Sequence, residues 1–449
     1  MLKDVSPQQH QLEMVTLEQL VPTNHLVRKI DSTIDFEFIR VEVAHLYCKD
    51  NGRPAIDPVM LFKIMLLGYL FGVPSERRLM QEIEVNVAYR WFLRLSLTDK
   101  VPDASTLSQN RIRRFNGTDV FQRVFDRIVE QAMAKKLIGG RVLYTDSTHL
   151  KASANKNKSI NKLVAASTSA YVEQLNAAIE EERKVAGKKP LPPKDDKVCE
   201  LHEIKASTTD PDSGFMTREG KPQGFFYLDH RTVDGKHGLI TDTHVTPGNQ
   251  HDSQPYIARL DRQLERFDLS PTAVGLDAGY NTAILCHLIK ERQIEPVMGY
   301  RRPNKGQDLL RKSAFVYDKE NDCYRCPQGE LLQYSTTNRV GYREYKSNPS
   351  TCKDCPLRSR CTKSTNHTKV VTRHVFEAAK EAANETRLSA WGKKIYKRRK
   401  ETVERSFADA KQHHGHRYAR FRGVSNVQMQ CLLAAAAQNI KKMALLLAA

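Results

Sequence analysis

The sequence predicts a mixed α/β protein, with a helical N-terminal domain ahead of a mixed-sheet core that is broken by a Cys-rich insert. Three observations predict it. Apolar residues recur at helical spacing between residues 57 and 137, with no strand-like run among them. From Arg141 the order becomes strand, hairpin, helix, strand, helix, strand, helix, which suits a central sheet covered by helices. Five of the nine cysteines crowd into residues 323–361.

The first region, residues 1–137, owes its helices to local signals. Asp57-Pro58 reads as an N-cap with proline at the first helical position, and Met60, Leu61, Ile64, Leu67 and Leu70 follow at helical spacing. Gly72-Val73-Pro74 breaks that helix. Ser75 caps the next, with Leu79, Ile83 and Val87 on one face. Residues 102–106 open another helix, and Phe121, Val124, Phe125 and Ile128 line a further one. Arg77, Arg78, Arg111, Arg113 and Arg114 sit on exposed positions, either as a solvated face or as DNA contacts.

The core occupies residues 138–302. Val142-Leu143-Tyr144 is a buried strand closed by Asp146. Residues 151–223 form a Lys/Pro-rich insertion with a helix near 166–185 and a flexible linker after it. Gly224 to Pro247 reads as a hairpin turning at Asp234-Gly235. A helix from His251-Asp252, a strand at Thr272–Leu276 ended by Asp277, a second helix and a strand near Ile294–Tyr300 complete the alternation. Residues 303–375 are the Cys-rich insert. Residues 376–449 return to helix, strongly basic over 393–414 and Ala/Leu-rich over 426–446.

Composition narrows the function. The 449 residues carry 71 Lys and Arg against 52 Asp and Glu, a net charge of +19 that calls for a polyanionic partner such as nucleic acid. The most apolar stretch, Cys431 to Ala449, contains Gln438, Asn439, Lys441 and Lys442 and is too polar to span a bilayer. The N-terminus has no hydrophobic signal segment, and an odd number of clustered cysteines suits metal binding in a reducing cytoplasm better than disulfides.

Two aspartates, Asp146 and Asp277, each close an apolar strand, and strand ends are where open α/β sheets gather their ligands. Glu404 is a third acid. It lies beside the apolar stripe Val403, Phe407 and Ala410, in a segment (393–422) with eleven Lys and Arg against three acids. Lys411 follows two turns later on the same face. Three acids can hold two Mg²⁺ ions, which take carboxylate oxygen and keep waters, for in-line phosphoryl displacement. Cys323-x2-Cys326 and Cys352-x2-Cys355 are spaced for one tetrahedral zinc, with Cys361 a fifth candidate.

Three stretches, Leu143 to Ala152 (LYTDSTHLKA), Gly275 to Thr282 (GLDAGYNT) and Glu401 to Lys411 (ETVERSFADAK), resemble the acidic motifs of DDE transposases from bacterial insertion sequences. So do Thr208 to Asp212, Arg417 to Gly423 (RYARFRG) and Asn439 to Lys442, and the helical segment around 57–115 resembles their N-terminal domain. The resemblance implies an RNase-H-like core and a catalytic triad of Asp146, Asp277 and Glu404 binding Mg²⁺ or Mn²⁺. It implies cleavage of element ends by water, strand transfer by a 3′-hydroxyl, and a homodimer on terminal inverted repeats and target DNA, in a bacterial, nucleoid-associated setting. It makes Tyr396, Arg399, Arg405, Lys411 and Arg422 DNA- or phosphate-binding residues. Four residues separate Arg399 from Glu404, where a neighbouring group has three. It implies a zinc-ribbon-like insert held by Cys326, Cys352, Cys355 and Cys361, with Cys323 as the alternative. A regulator with an inactive core and a stand-alone metal-dependent nuclease are the competing readings.

Overall fold

The computed structural model describes residues 13–48, 55–165, 171–192, 201–217, 223–300 and 309–448. Asp57 accepts the Met60 amide and Pro58 fills the first helical position, so the helix Pro58–Leu70 starts where expected. It is buried almost all round rather than on one face, because the closing helix Val424–Leu447 and other N-terminal helices surround it. Asn86 accepts the amides of Ala88 and Tyr89. That cap ends the helix Glu76–Val85 and starts Val87–Phe92, so Val87 opens a new helix instead of completing the old face. Helices Ala104–Arg113 and Val120–Ala134 follow. Their core is continuous with that of the closing helix and with one side of the sheet.

The sheet is mixed, as the sequence predicts. The central strand Val142–Lys151 pairs antiparallel with Gly224–Asp234, and that strand pairs antiparallel with Ile240–Pro247 and Gly214–Met216. On its other side the central strand is parallel to Ala273–Leu276, which is parallel to Glu295–Met298. Asp234 fixes the hairpin by accepting the amides of Gly139, Gly140 and Lys236 at 2.8–3.0 Å. One expectation fails here. The central strand does not stop at Asp146, because its antiparallel partner continues to pair as far as Lys151 opposite Phe226. Only the parallel ladder stops, at Thr145 opposite Leu276.

The insertion after the central strand holds the helix Val172–Val185 and a two-stranded ribbon, Ser159–Ala165 paired with Leu201–Ser207, that the sequence did not reveal. Residues 193–200 and 218–222 of the predicted linker region, and 166–170 of the predicted helix, lie outside the described residues. The Tyr171 hydroxyl donates to the carbonyls of Ser253 and Gln254, while Arg183 donates to Thr336 and Thr337. The helix thereby bridges the core and the Cys-rich insert. That insert is a five-stranded antiparallel sheet running from Val316–Asp318 to Val370–His374 in chain order, around Phe315, Tyr324, Leu332, Tyr345 and Val371.

The predicted basic helix is two helices, Ala390–Arg398 and Arg405–His413, joined by a π-helical turn at Lys400–Glu404. No helix among the described residues is long and apolar enough to cross a membrane.

Candidate active site

Strand register sets the first two acids. The last parallel pair is Thr145 with Leu276, so Asp146 and Asp277 are the next residues on neighbouring strands, just past the end of the ladder. Two glycines keep this region narrow. A Cβ on Gly275 would come within 2.6 Å of the Tyr144 ring, and one on Gly299 within 2.6 Å of the Tyr396 hydroxyl. Thr282 caps the helix Ala283–Glu291 behind Asp277 by accepting the Leu285 amide at 3.3 Å.

The third acid depends on the π turn. In an α-helix, residues five apart are turned about 140° away from each other. Here the Glu404 amide donates to the Arg399 carbonyl, five residues back, at 3.2 Å. One extra residue is absorbed in the wider turn, and Arg399 and Glu404 stack on one face as they would at the usual four-residue step. The longer spacing that set this chain apart from the neighbouring group therefore leaves the pair together. Val403, Phe407 and Ala410 are buried beneath the segment and hold it on the sheet.

Arg399 joins the three acids. Its guanidinium lies 2.7 Å from Asp146, 3.6 Å from Asp277 and 3.9 Å from Glu404. The arginine side chain is 4% exposed, while Asp277 and Glu404 are about half exposed. Burial pushes the Asp146 carboxyl up to about 6, against the pull of Arg399 and the Ser147 amide, with Asp277 and Asp252 adding like charge. A buried carboxylate flanked by other carboxylates has more negative charge than one guanidinium neutralises. That surplus, open to solvent on the side of Asp277 and Glu404, is the observation that fits divalent cations to these residues.

The other predicted residues fall in different places. Lys411 donates to the Thr148 hydroxyl at 2.6 Å, two residues beyond Asp146 on the central strand. The Arg399 guanidinium lies 5.5 Å from the centroid of the Tyr396 ring. Arg405 is exposed and faces a separate cavity of about 350 Å³ with Lys441 and Lys442. Arg422 is exposed and donates to the Ser153 carbonyl. Of the N-terminal arginines, Arg111 pairs with Glu76 and covers Phe421, and Arg114 covers Tyr47. Those two serve packing, whereas Arg77 and Arg113 are exposed. Thr208 to Asp212 is structural, since Asp210 and Asp212 accept the Gly423 and Val424 amides and hold the start of the closing helix.

A buried polar network went unread in the sequence. Asp229 accepts from Arg231 and Thr243 and bonds His416, and Arg231 also donates to Ser406 and Gln438. Burial pushes the Asp229 carboxyl up, but Arg231, His416 and Thr243 outweigh it and hold it well below the usual range. The network ties the hairpin to the helix that follows Glu404. The available signal was Asp229-His230-Arg231, three titratable residues in a row inside an apolar strand. Asp229, His416 and Cys431 also form the only group of three or more His, Cys, Asp or Glu donors within 4.8 Å of one another among the described residues. Arg231 already neutralises that buried carboxylate, so the group reads as core.

In the insert, Cys326, Cys352, Cys355 and Cys361 line one small apolar cavity, and Cys323 is buried elsewhere, on the strand Cys323–Arg325. Burial pushes the Cys361 thiol up, Lys369 pulls it down, and the other three thiols add to the rise. Four thiols facing one cavity are a donor set suited to zinc.

Two family models match the chain, a transposase domain (DUF772) over residues 15–113 and a transposase DDE domain over residues 325–444. No curated protein matches it. Among solved structures it is similar to the piggyBac transposase synaptic complex with hairpin DNA, seen by cryo-EM. The identity is 10% and the TM-score 0.31, over 95% of this chain and 77% of that one.

Proposed function

We propose that this chain, which matches a transposase domain and a transposase DDE domain, cuts the ends of its element and joins them to target DNA by phosphodiester chemistry at Asp146, Asp277 and Glu404. The observation that carries the reading is the convergence of these three acids, from three distant segments, on the one guanidinium of Arg399. Asp146, Asp277 and Glu404 would hold the divalent cations. Bound there, Mg²⁺ or Mn²⁺ would supply an activated water or sugar hydroxyl and neutralise charge on the leaving oxygen. Arg399 keeps the carboxylates close while Asp277 and Glu404 still face the opening. Lys411 offers a positive charge to the phosphate next to the scissile one, two strand positions from Asp146. Zinc at Cys326, Cys352, Cys355 and Cys361 would be structural, and the DNA partner is supported by the +19 charge.

The test uses a duplex carrying the element end with Mg²⁺. Asp146→Asn, Asp277→Asn and Glu404→Gln each lower cleavage by about a thousandfold or more and leave DNA binding in place. A variant lacking all three carboxylates that still cuts sinks the assignment. Cleavage without joining in a strand-transfer assay would identify a nuclease instead.

A further inference from the structure

The ribbon Ser159–Ala165/Leu201–Ser207 has no counterpart in the chemistry above. Among the described residues it pairs only with itself, through seven residue pairs, about 23 Å of two-stranded ladder. Asn161, Lys162 and Leu163 are consecutive and all exposed, so neither face of this strand is covered by the described residues. Ile160 and Leu163 are 56% and 62% exposed. A bare two-stranded ribbon is marginal by itself and presents open edges. This one is anchored at its base, where Thr208 donates to the Lys158 carbonyl and Ser207 bonds Thr209 and Asp210, the residue that holds the closing helix.

Its charge is one-sided. Lys156, Lys158, Lys162 and Lys205 are exposed on or beside the ribbon, against Glu203 as the one acid among its described side chains. Basic side chains continue from its base to the carboxylates. Arg422 reaches Ser153, the Lys151 amide donates to the Arg417 carbonyl, and Arg417 donates to the Lys411 carbonyl. The central strand carries Asp146, Thr148 and Lys151 straight toward this arm.

We propose that the ribbon is a DNA-binding arm that lies in a groove of the duplex flanking the phosphodiester held at the carboxylates. A twisted two-stranded ribbon fits the major groove, its lysines reach the phosphates on either side, and Ile160 meets base edges from the face it shares with Lys162. The proposal rests on the DNA reading above, so its test keeps the two apart. The full chain, with Lys156, Lys158, Lys162 and Lys205 all changed to Gln, is titrated with a duplex of about 40 base pairs over a range of salt, beside the parent and Asp146→Asn. Loss of four phosphate contacts makes the slope of log K against log salt shallower by about 3.6, and affinity near 0.1 M salt falls about tenfold or more. Asp146→Asn keeps the parent slope. An unchanged slope in the Gln variant overturns the arm, whatever happens to cleavage. An unchanged slope with loss of a dimer in sedimentation assigns the ribbon to a second copy and also overturns it. Cleavage that survives Asp146→Asn refutes the triad and leaves the arm standing on its slope.

Discussion

The carboxylate site and the cysteine insert gather their side chains in opposite ways. The acids come from positions 146, 277 and 404, brought together by strand register, a π turn and a buried polar network. The cysteines lie within 326–361, brought together by short spacings and a sheet with five buried apolar residues. The first inherits its geometry from a large core. The second stands on a small one of five buried apolar residues, so a cross-link such as bound zinc is expected to matter more to it.

The largest expected effect tests the second half of that contrast. Zinc binding that is coupled to folding contributes on the order of 10 kcal/mol in small domains. Chelation, or Cys352→Ser, is expected to make residues 309–375 protease-sensitive while the core keeps its unfolding transition. Metal stoichiometry and limited proteolysis read this out. An insert that stays resistant without metal would show that Phe315, Tyr324 and Tyr345 suffice.

Acid tests the first half. Burial pushes the His244 imidazole down to about 4, and burial likewise holds those of His230 and His416 below the ordinary 6.5. The unfolded chain binds protons at these positions more readily than the folded one. Their contribution is therefore complete above pH 6.5 and is lost as pH falls through about 4. The Tm of the core is expected to drop by several degrees over that window. A flat profile would mean that burial of these imidazoles, His230 and His244 on the side of Arg259 and His416 against Asp229, does not set the stability of the core.

The smallest effect is local. Thr282→Ala removes the cap of the helix behind Asp277 and is expected to cost about 1 kcal/mol in chemical denaturation. Cleavage should change little, because register, rather than this cap, sets Asp277 beside Asp146. A large loss of activity at unchanged stability would show that the cap positions the acid.

Much of this was legible because it is local. Asp57-Pro58 and Ser75 named their helix starts, Asp234-Gly235 named its turn, and the three acidic motifs named the acids that gather around Arg399. What was misread is non-local. The central strand runs past Asp146 because a strand 80 residues later in the chain keeps pairing with it, as Thr145 meets Thr232 and Lys151 meets Phe226. The ribbon went unseen because Ser-Ile-Asn-Lys-Leu-Val has no covered face to impose alternation.

By itself, the sequence determined the helix caps, the hairpin, the basic surplus and the identity of the acids, since each follows from residue chemistry within a few positions. Only the tertiary structure decided that Arg399 stands among those acids and that the extra residue before Glu404 is taken up as a π turn. Both depend on which face of a helix meets the end of a strand, and that is set by burial of Val403 and Phe407 in one core with Tyr144 and Val233, more than 100 residues away in the chain.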